Sequence, residues 1–254
     1  MKTLVLLLSV ILGVFPFKST GAKFSAGEKQ VYVFHYKWGV LNADVARVTC
    51  SCDSVMYRGV PSYKARIFGK TEKFCEAIVK VREDFQGTFR ASDFRPFKTS
   101  RKAQEAKFNG GETYKYDWPA SKLEMTITTK KGEKKKTFDL TPDVLDVTGL
   151  YYAVRSIDLQ KVADRKPFEV KVAVGDKIET ISMRYDGREL LQARGIDKTM
   201  AHKFSISVTS GNTFDPKNNV VLYLSDDEFL VPLYFEAPLK LGKVVGRLET
   251  STGK

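Results

Sequence analysis

The sequence has few of the residues, and none of the motifs, on which most enzymes depend. It contains two histidines, His35 and His202, and three cysteines in 254 residues. It has no Gly-x-Ser-x-Gly elbow, no His-Glu-x-x-His pair and no Walker phosphate-binding loop. His35 lies within an aromatic strand segment, where a packed, hydrogen-bonded role is expected rather than that of a general base. The sequence therefore predicts no catalytic residues.

The three cysteines are too few for a disulfide-stabilised scaffold, and their number is odd. Cys50 and Cys52 lie two residues apart, so in a strand both side chains point to the same face. Either one could pair with Cys75 in an oxidising compartment, or all three could remain small thiols. A zinc site would need a fourth ligand, and the two histidines lack a ligand spacing. No metal and no cofactor is therefore predicted.

No segment after residue 22 approaches the ~20 uninterrupted apolar residues of a membrane-spanning helix. Near the N-terminus, residues 4–15 form an apolar run of about a dozen residues after Lys2, which is short for a membrane-spanning helix. Thr20, Gly21 and Ala22 then provide small residues suited to cleavage. This pattern predicts a signal peptide over residues 1–22 rather than a membrane anchor. The mature chain is expected to be exported, with no transmembrane span, and soluble or peripheral.

The chain is strongly basic. It has 42 Lys and Arg residues against 30 Asp and Glu. Without Lys2 and Lys18 the balance is 40 against 30, a formal net charge of +10. Such a charge favours anionic partners, such as lipid headgroups, acidic glycans or an anionic envelope surface. Nucleic acid is not expected as a partner, because the mature chain is predicted to be exported.

Most of the mature chain shows the alternating pattern of β-strands, with about a dozen strands at the spacing typical of antiparallel folds. Residues 31–36 and 41–49, separated by Gly39, predict a first hairpin. Gly110-Gly111 predicts a tight turn, and Asp186-Gly187 predicts a two-residue hairpin loop. The lysine-rich run 130–136 is interpreted as a solvated hairpin tip whose charges oppose edge-to-edge aggregation, with contact to an anionic surface as the alternative.

One segment has a helical pattern instead. Thr141 and Pro142 suit the N-cap and the first helical position. Apolar residues then recur at helical spacing and share one face: Val144, Val147, Tyr151 and Val154, widened by Leu150 and Ile157. A helix this apolar must bury a broad side, and the surrounding sequence offers only sheet as its partner. A single helix over about residues 142–157, filling a β architecture, is therefore predicted.

The predicted fold class is mainly β: an antiparallel sheet curled as an open or partial barrel, with the central α-helix packed on it. Residues 23–254 are expected to form one β-rich domain, because no linker rich in Pro, Gly or Ser divides them. Two subdomains, 23–140 and 159–254, are the alternative. A domain of this size can bury ~70% of its unfolded surface, so it needs no metal or disulfide to fold.

Aromatic residues concentrate in three places and supply the candidate binding site. Tyr and Trp combine an apolar ring with a polar group, which suits a groove for a sugar ring or an acyl chain, although packing in a β core is the role that such residues more often have. On the helix, Tyr151 belongs to the apolar face, whereas Tyr152 and Arg155 lie off it and are better placed for ligand or second-layer contacts. The predicted ligand-binding residues are Tyr36, Trp38, Tyr114, Tyr116, Trp118, Tyr152 and Arg155.

Three stretches together resemble a known family. Gly27-Glu28-Lys29, followed by Tyr32, Tyr36, Gly39 and Ala43, resembles its opening G-E-x-L-x-Y motif, with Gln30 in the usual apolar position. Residues 143–155 resemble its central D-x-L-D…L-Y-Y-x-R helix, and residues 223–232 resemble its W-x-S-D-D…P segment, with Tyr223 in place of tryptophan. The chain thus resembles the domain-of-unknown-function family 3108 over nearly all of residues 24–250. The resemblance implies an exported, β-rich envelope protein of a Gram-negative bacterium and supplies no catalytic residues.

Three functional hypotheses follow. The preferred one is a non-enzymatic protein of the periplasm or cell envelope that binds a lipid or glycan in an aromatic-lined groove. The second is a glycan-active enzyme or accessory module that uses carboxylates such as Asp226 and Asp227, which would have to be buried and face one cleft. The third is a structural or interaction protein that binds a partner chain at exposed sheet edges. The export signal, the aromatic clusters and the basic charge favour the first.

Overall fold

The computed structural model describes residues 24–76, 80–105, 108–208 and 218–253, so the predicted signal peptide lies outside the described residues. Within these ranges it contains fifteen strands and one helix. The first meander comprises β1 (Glu28–Trp38), β2 (Leu41–Tyr57), β3 (Val60–Thr71), β4 (Arg82–Arg90), β5 (Pro96–Gln104), β6 (Asn109–Asp117), β7 (Lys122–Thr129) and β8 (Gly132–Asp139). Then follow β9 (Val144–Asp146), α1 (Val147–Val154), β10 (Phe168–Val174), β11 (Lys177–Ala193), β12 (Ile196–Val208), β13 (Val220–Ser225), β14 (Pro232–Pro238) and β15 (Lys243–Thr252).

All these strands form one sheet built from two meanders. β1 to β8 follow one another on one side, β9 to β15 follow one another on the other, and the meanders meet where β1 pairs with β15. Neighbouring strands are antiparallel except for β9 and β10, which are parallel. The edges of the sheet are β8 and β9, which only residues 140–143 separate in the chain. The sheet therefore curls without closing, and this confirms the predicted mainly-β fold class.

The curled sheet overlaps itself, and we call this arrangement the scroll. The overlap is seen in the side chains of its strands, which contribute to two separate cores. Val170, Val172 and Val174 of β10 face the main core together with the inner faces of β1 to β4. Ala173 points the opposite way, into a second core that contains Leu123 of β7 and other side chains of β6 to β8. The last strands of the first meander thus pack on the outer face of β9 to β11. Burial of apolar side chains, rather than backbone pairing, holds the two edges together.

The helix fills the interior of the scroll, as predicted, but it is shorter than predicted. All eight of its residues are buried, and its N-cap is Asp146 rather than Thr141. The Asp146 carboxylate accepts a hydrogen bond from the backbone N–H of Gly149 at 2.5 Å and another from the Thr99 hydroxyl. Residues 144–146 form β9 instead of the first helical turn, because they pair with β10. The predicted bounds of 142–157 are therefore wrong at both ends.

The sequence signals for turns were right in two places and wrong in two. The β1–β2 hairpin and the lysine-rich β7–β8 turn form as predicted. Gly110-Gly111 lies inside β6, and Asp186-Gly187 lies inside the long strand β11, where the register with β12 shifts. Gly187 has φ +109°, so its glycine serves a bulge, not a hairpin loop. The hairpin turn follows at residues 194–195.

The cysteines are free thiols in this structure. Cys50 and Cys52 are both buried in the main core, which confirms that they share a face of β2, and Cys75 is partly exposed. Burial raises the pKa of the Cys50 and Cys52 thiols well above the usual range. No helix in the described ranges has the length and apolarity needed to traverse a lipid bilayer.

Candidate functional site

The seven predicted ligand-binding residues lie in three separate parts of the fold. Tyr152 and Arg155 lie inside the main core, Tyr114 and Tyr116 lie in the second core with Trp118 packed against it, and Tyr36 and Trp38 lie at the end of β1. These residues do not line one common groove. Each group therefore has to be judged by its own surroundings.

Arg155 and Tyr152 contact other parts of the protein. The Arg155 guanidinium is fully buried and forms an ion pair with the buried Glu28 carboxylate. Its Nη2 donates to Glu28 Oε2 at 3.1 Å, and its Nε donates to the Phe229 carbonyl at 3.2 Å. The guanidinium also lies 5.5 Å from the ring centroid of Phe24 and 5.7 Å from that of Tyr152. This arrangement ties the central helix to the start of β1.

The second core accounts for the β6 aromatics. Tyr114 is buried, and its hydroxyl donates to Glu112 at 2.6 Å and lies 3.0 Å from the Gly175 carbonyl oxygen. Trp118 stacks on Tyr116 with ring centroids 6.3 Å apart, and its Nε1 donates to the Pro96 carbonyl at 2.8 Å. These contacts join the overlapping layers of the scroll and leave little ring surface for a ligand.

Tyr36 and Trp38, in contrast, lead to a patch of exposed apolar side chains. Trp38 is 51% exposed, Val40 is fully exposed, Leu41 is 38% exposed and Leu241 is 60% exposed. We call these four residues the tip patch, because they occupy the tips of two neighbouring hairpins, β1–β2 and β14–β15. Apolar side chains at a turn normally give way to polar ones, since exposure of a large apolar side chain forgoes about 1.5–3 kcal/mol of burial.

Close backbone contacts join the two hairpin tips into one surface. The Tyr36 hydroxyl donates to the Leu241 carbonyl at 2.8 Å, and Lys37 pairs with Lys243 in the sheet. A Cβ placed on Gly242 would lie 2.2 Å from the Lys37 carbonyl oxygen and 2.7 Å from Trp38 Cβ. Only glycine fits at this crossing, where φ is also +77°. The two hairpin tips are therefore packed against each other and form one continuous surface.

Positive charge surrounds the tip patch. Lys37 and Lys240 are exposed beside it, and Lys243 reaches Glu236 at 2.9 Å. The β3–β4 loop turns at the same end of the sheet, with Phe74 62% exposed next to Lys73. The β7–β8 turn also lies at this end and presents Lys130 and Lys131. This end of the sheet therefore combines exposed apolar side chains with lysines, which matches the pattern of a surface that contacts a lipid interface.

The sequence singled out Tyr36 and Trp38, whose role in binding stays a prediction, and it did not single out Val40, Leu41 or Leu241. The alternating pattern assigned Leu41 and Leu241 to strands, where apolar side chains are expected to be buried, and it assigned no role to Val40. A signal was available: an apolar pair follows the predicted turn glycine Gly39, where turns usually carry polar residues. The same signal recurs at Leu241, which directly precedes Gly242.

Two polar features lie on the surface away from the tip patch. Asp226 and Asp227 lie on the exposed β13–β14 turn, and Asp227 accepts hydrogen bonds from Ser225 and from two backbone N–H groups of the turn. A shallow polar groove of about 250 Å³ lies on the outer face of β6 to β8, lined by Thr113, Lys115, Glu124, Met125, Thr126, Lys135, Lys136 and Thr137. Among the described residues no group of His, Cys, Asp and Glu side chains is arranged to hold a metal ion.

A buried ion cluster joins β4, β5 and β6. Arg101 contacts Glu83 and Glu105 at 2.8 Å each and Glu112 at 2.6 Å, and all four side chains are at most a few per cent exposed. One cation thus serves three carboxylates. Burial raises the pKa of Glu83 to about 8, although the Arg101 guanidinium opposes the shift. This cluster is a structural element of the sheet, since its donors and acceptors are used within the protein.

Comparisons with known proteins identify the fold but no activity. A family model described as a protein of unknown function, DUF3108, matches residues 31–249. No curated protein matches the chain. Among solved structures, a crystal structure described as a beta-barrel-like protein of the domain of unknown function DUF1849, from Brucella abortus, is similar with a TM-score of 0.56. That match has 12% sequence identity and covers 91% of this chain and 99% of the other. At this identity the likeness concerns the fold alone.

Proposed function

The chain belongs to the DUF3108 family of proteins of unknown function, and on that premise we propose that it is a non-enzymatic lipid-binding protein of the cell envelope. In this proposal it is exported by its N-terminal segment and docks on an anionic lipid surface through the tip patch. The single observation that carries the proposal is the exposure of Trp38, Val40, Leu41 and Leu241 on two hairpin tips that are packed together. Lipid is thereby contacted by a surface, rather than held in an aromatic-lined groove.

The energetics of the tip patch suit reversible docking. Each apolar side chain gains up to about 1.5–3 kcal/mol when it leaves water, and the partial cover of Trp38 and Leu41 reduces that gain. Each lysine close to an anionic membrane surface adds about 1 kcal/mol. Trp38 is suited to the interfacial region, where its ring contacts acyl chains and its indole N–H remains hydrated. Together these terms support binding of the folded domain to a membrane without insertion of a transmembrane segment.

The decisive experiment measures partition onto vesicles that contain a zwitterionic and an anionic phospholipid. We expect the wild-type protein to sediment with the vesicles, and Val40→Asp combined with Leu241→Asp to reduce partition by at least about tenfold, equivalent to about 1.4 kcal/mol. The matched control is Met56→Asp, because Met56 is 67% exposed but lies at the opposite end of β2. Equal binding by all three proteins, or no binding by the wild type, refutes the proposal.

A spectroscopic readout locates the contact. The chain has two tryptophans, Trp38 and Trp118. In a Trp118→Phe background Trp38 is the sole indole reporter, and its emission is expected to shift to the blue and to be quenched by brominated acyl chains when vesicles are added. Unchanged emission in samples that do sediment would show that a different surface binds the lipid.

A glycan is the second candidate ligand, and the polar groove on β6 to β8 is the observation that favours it. The side chains of Thr113, Thr126 and Thr137 offer hydroxyl groups on one face, and Lys115 and Lys135 offer positive charge for an acidic sugar. Thr126→Val with Thr137→Val tests this candidate, since the double variant should weaken binding to an acidic oligosaccharide and leave vesicle partition unchanged.

A further inference from the structure

A cluster of polar side chains lies at the opposite end of the sheet from the tip patch, where β11, β12 and the β13–β14 turn meet. Its first part is a line of three hydrogen-bonded side chains. The Tyr185 hydroxyl lies 2.9 Å from His202 Nδ1, and His202 Nε2 lies 3.1 Å from Asp226 Oδ1. The other Asp226 oxygen contacts the Arg188 guanidinium. The cluster is partly open to solvent, with the His202 side chain 12% and the Arg188 side chain 55% exposed.

The line of hydrogen bonds has a defined direction. Since a carboxylate only accepts, His202 must donate its Nε2–H to Asp226. In the neutral imidazole Nδ1 then accepts, so the Tyr185 hydroxyl donates its proton to His202. Protonation of His202 would put a hydrogen on Nδ1 and reverse that bond. The Tyr185 O–H group would then be free to donate to a ligand.

A second arginine is brought to this place by unusual backbone geometry. Gly187 forms the bulge of β11, and a Cβ at this position would lie 3.0 Å from Arg165 Nη2. Because Gly187 has no side chain, the Arg165 guanidinium can pack directly against the bulge. Arg165 itself has φ +58°, a conformation that non-glycine residues rarely adopt. Among the described residues the Arg165 guanidinium has no carboxylate partner, whereas Arg184 of β11 is paired with Asp186 at 2.7 Å.

The charges of the cluster do not cancel. Arg165 and Arg188 carry two positive charges, and Asp226 supplies one negative charge. Both arginines are near enough to Tyr185 to lower the pKa of its hydroxyl, while burial, which is the larger effect, and Asp226 raise it. A remaining charge of +1, two guanidinium groups from different elements and a hydroxyl group form a set of donors that suits the several acceptor oxygens of a tetrahedral oxyanion.

We propose that Arg165, Arg188 and Tyr185 form a binding site for a phosphate group on the surface between the β11 bulge and the β13–β14 turn, with His202 and Asp226 as positioning residues. Asp226 fixes the orientation of His202 and of Arg188. Arg165 supplies the charge that no carboxylate neutralises. The phosphate can be a free anion or the phosphomonoester headgroup of a lipid, since both present the same oxygens.

The site has a built-in pH dependence. The groups that face His202 are Tyr185 and Arg188 of β11 and Asp226 of the β13–β14 turn. Burial lowers the pKa of His202, Arg188 adds to that effect, and Asp226 opposes it. His202 therefore takes up its proton at a lower pH than an ordinary imidazole. As the pH falls through that transition the site gains a positive charge and the Tyr185 donor, while the phosphate itself also gains a proton and loses negative charge. The contribution of His202 is therefore measured by the phosphate affinity of the wild type relative to that of His202→Gln, and this ratio is expected to rise as the pH falls.

The test is calorimetric titration of the whole protein with inorganic phosphate and, in parallel, with a soluble short-chain phosphatidic acid. We expect saturable binding at one site, weakened at least about tenfold by Arg165→Gln and within about twofold of the wild type for the control Arg184→Gln. Binding of both probes indicates recognition of the phosphate group alone, and binding of phosphatidic acid only indicates a lipid headgroup. Absence of binding for both probes overturns the proposal, as does equal weakening by the two arginine variants.

The pH arm separates the proposed roles. In titrations at about pH 5 and about pH 8, the affinity of the wild type relative to that of His202→Gln should be higher at the lower value, since the protonation of phosphate itself affects both proteins equally. Thermal unfolding of each variant establishes that it is folded. A ratio of wild-type to His202→Gln affinity that is the same at both pH values would refute the role assigned to His202. Vesicle partition through the tip patch serves as an independent readout, because Arg165→Gln should leave it unchanged.

Discussion

The ion pair between Arg155 and Glu28 offers the sharpest test of how the scroll is held together. Arg155→Met keeps a long apolar side chain among the rings of Phe24 and Tyr152, but it removes the donors to Glu28 and to the Phe229 carbonyl. The Glu28 carboxylate, 1% exposed, is then left in the core without its cation. Breaking a buried pair in this way costs about 3–5 kcal/mol, because desolvation of the remaining charge is no longer compensated.

The prediction is measured by urea unfolding followed by circular dichroism. For a denaturant slope of about 2–3 kcal/mol/M, the expected loss moves the midpoint of unfolding by about 1–2 M. The matched control is Arg66→Met, which breaks the exposed pair of Arg66 with Asp84 and should cost less than about 1 kcal/mol. Like Arg155→Met, it removes a guanidinium that is hydrogen-bonded to a single carboxylate.

The double variant Glu28→Met with Arg155→Met completes the cycle. Removal of both charges should cost clearly less unfolding free energy than the sum of the two single losses, because no buried, unpaired ion remains in the double variant. The reasoning is refuted if Arg155→Met costs no more than Arg66→Met, or if the losses of the two single variants simply add. Either result would mean that water or a rearranged neighbour satisfies the remaining charge.

Two further predictions concern ionisable groups. Burial raises the pKa of Glu83 from 4.5 to about 8, so between these values the folded protein holds a proton that the unfolded chain has released. The unfolding free energy should therefore fall as the pH rises through this window. Urea titrations at several pH values should show a flatter pH dependence for Glu83→Gln, and an unchanged pH dependence would contradict the assignment. Burial also raises the pKa of the Cys50 and Cys52 thiols. A thiol reagent should therefore modify only the partly exposed Cys75 in the native protein and all three cysteines in denaturant. Labelling of Cys50 in the native protein at the same rate as Cys75 would show that the main core opens readily.

The fold class was readable from the sequence because its signals are local and repeated. Period-two alternation recurs along both meanders, and a single helical stretch interrupts it. The helix ends were not readable, because pairing with β10 takes residues 144–146 into the sheet and leaves Asp146, not Thr141, at the N-cap. Asp186-Gly187 shows the same difficulty, since a positive φ at Gly187 suits a hairpin loop and a bulge equally well.

The candidate site was readable only in part for a related reason. Trp38 was identified by its residue type, but the exposure of Val40 and Leu241 depends on which elements fail to cover them, and these lie about two hundred residues apart in the chain. Arg155 was placed off the apolar helix face, yet it is buried in the main core, and its partner Glu28 is 127 residues away. No pattern within a short window can indicate such a pairing.

The junction between β1 and β15 determines the order in which the scroll can assemble. Each meander can grow from strands that are neighbours in sequence. The junction, in contrast, and the ion pair of Asp44 with Arg247 that accompanies it, join residues that are at least 203 positions apart. Closing a loop of that length costs about 5 kcal/mol of chain entropy by the logarithmic scaling, before any contact compensates for it. Two half-sheets, each with an open edge at β1 or β15, are therefore the expected folding intermediates. Pairing of β15 with β1 covers both of these aggregation-prone edges in one step and joins the two half-sheets into a single sheet.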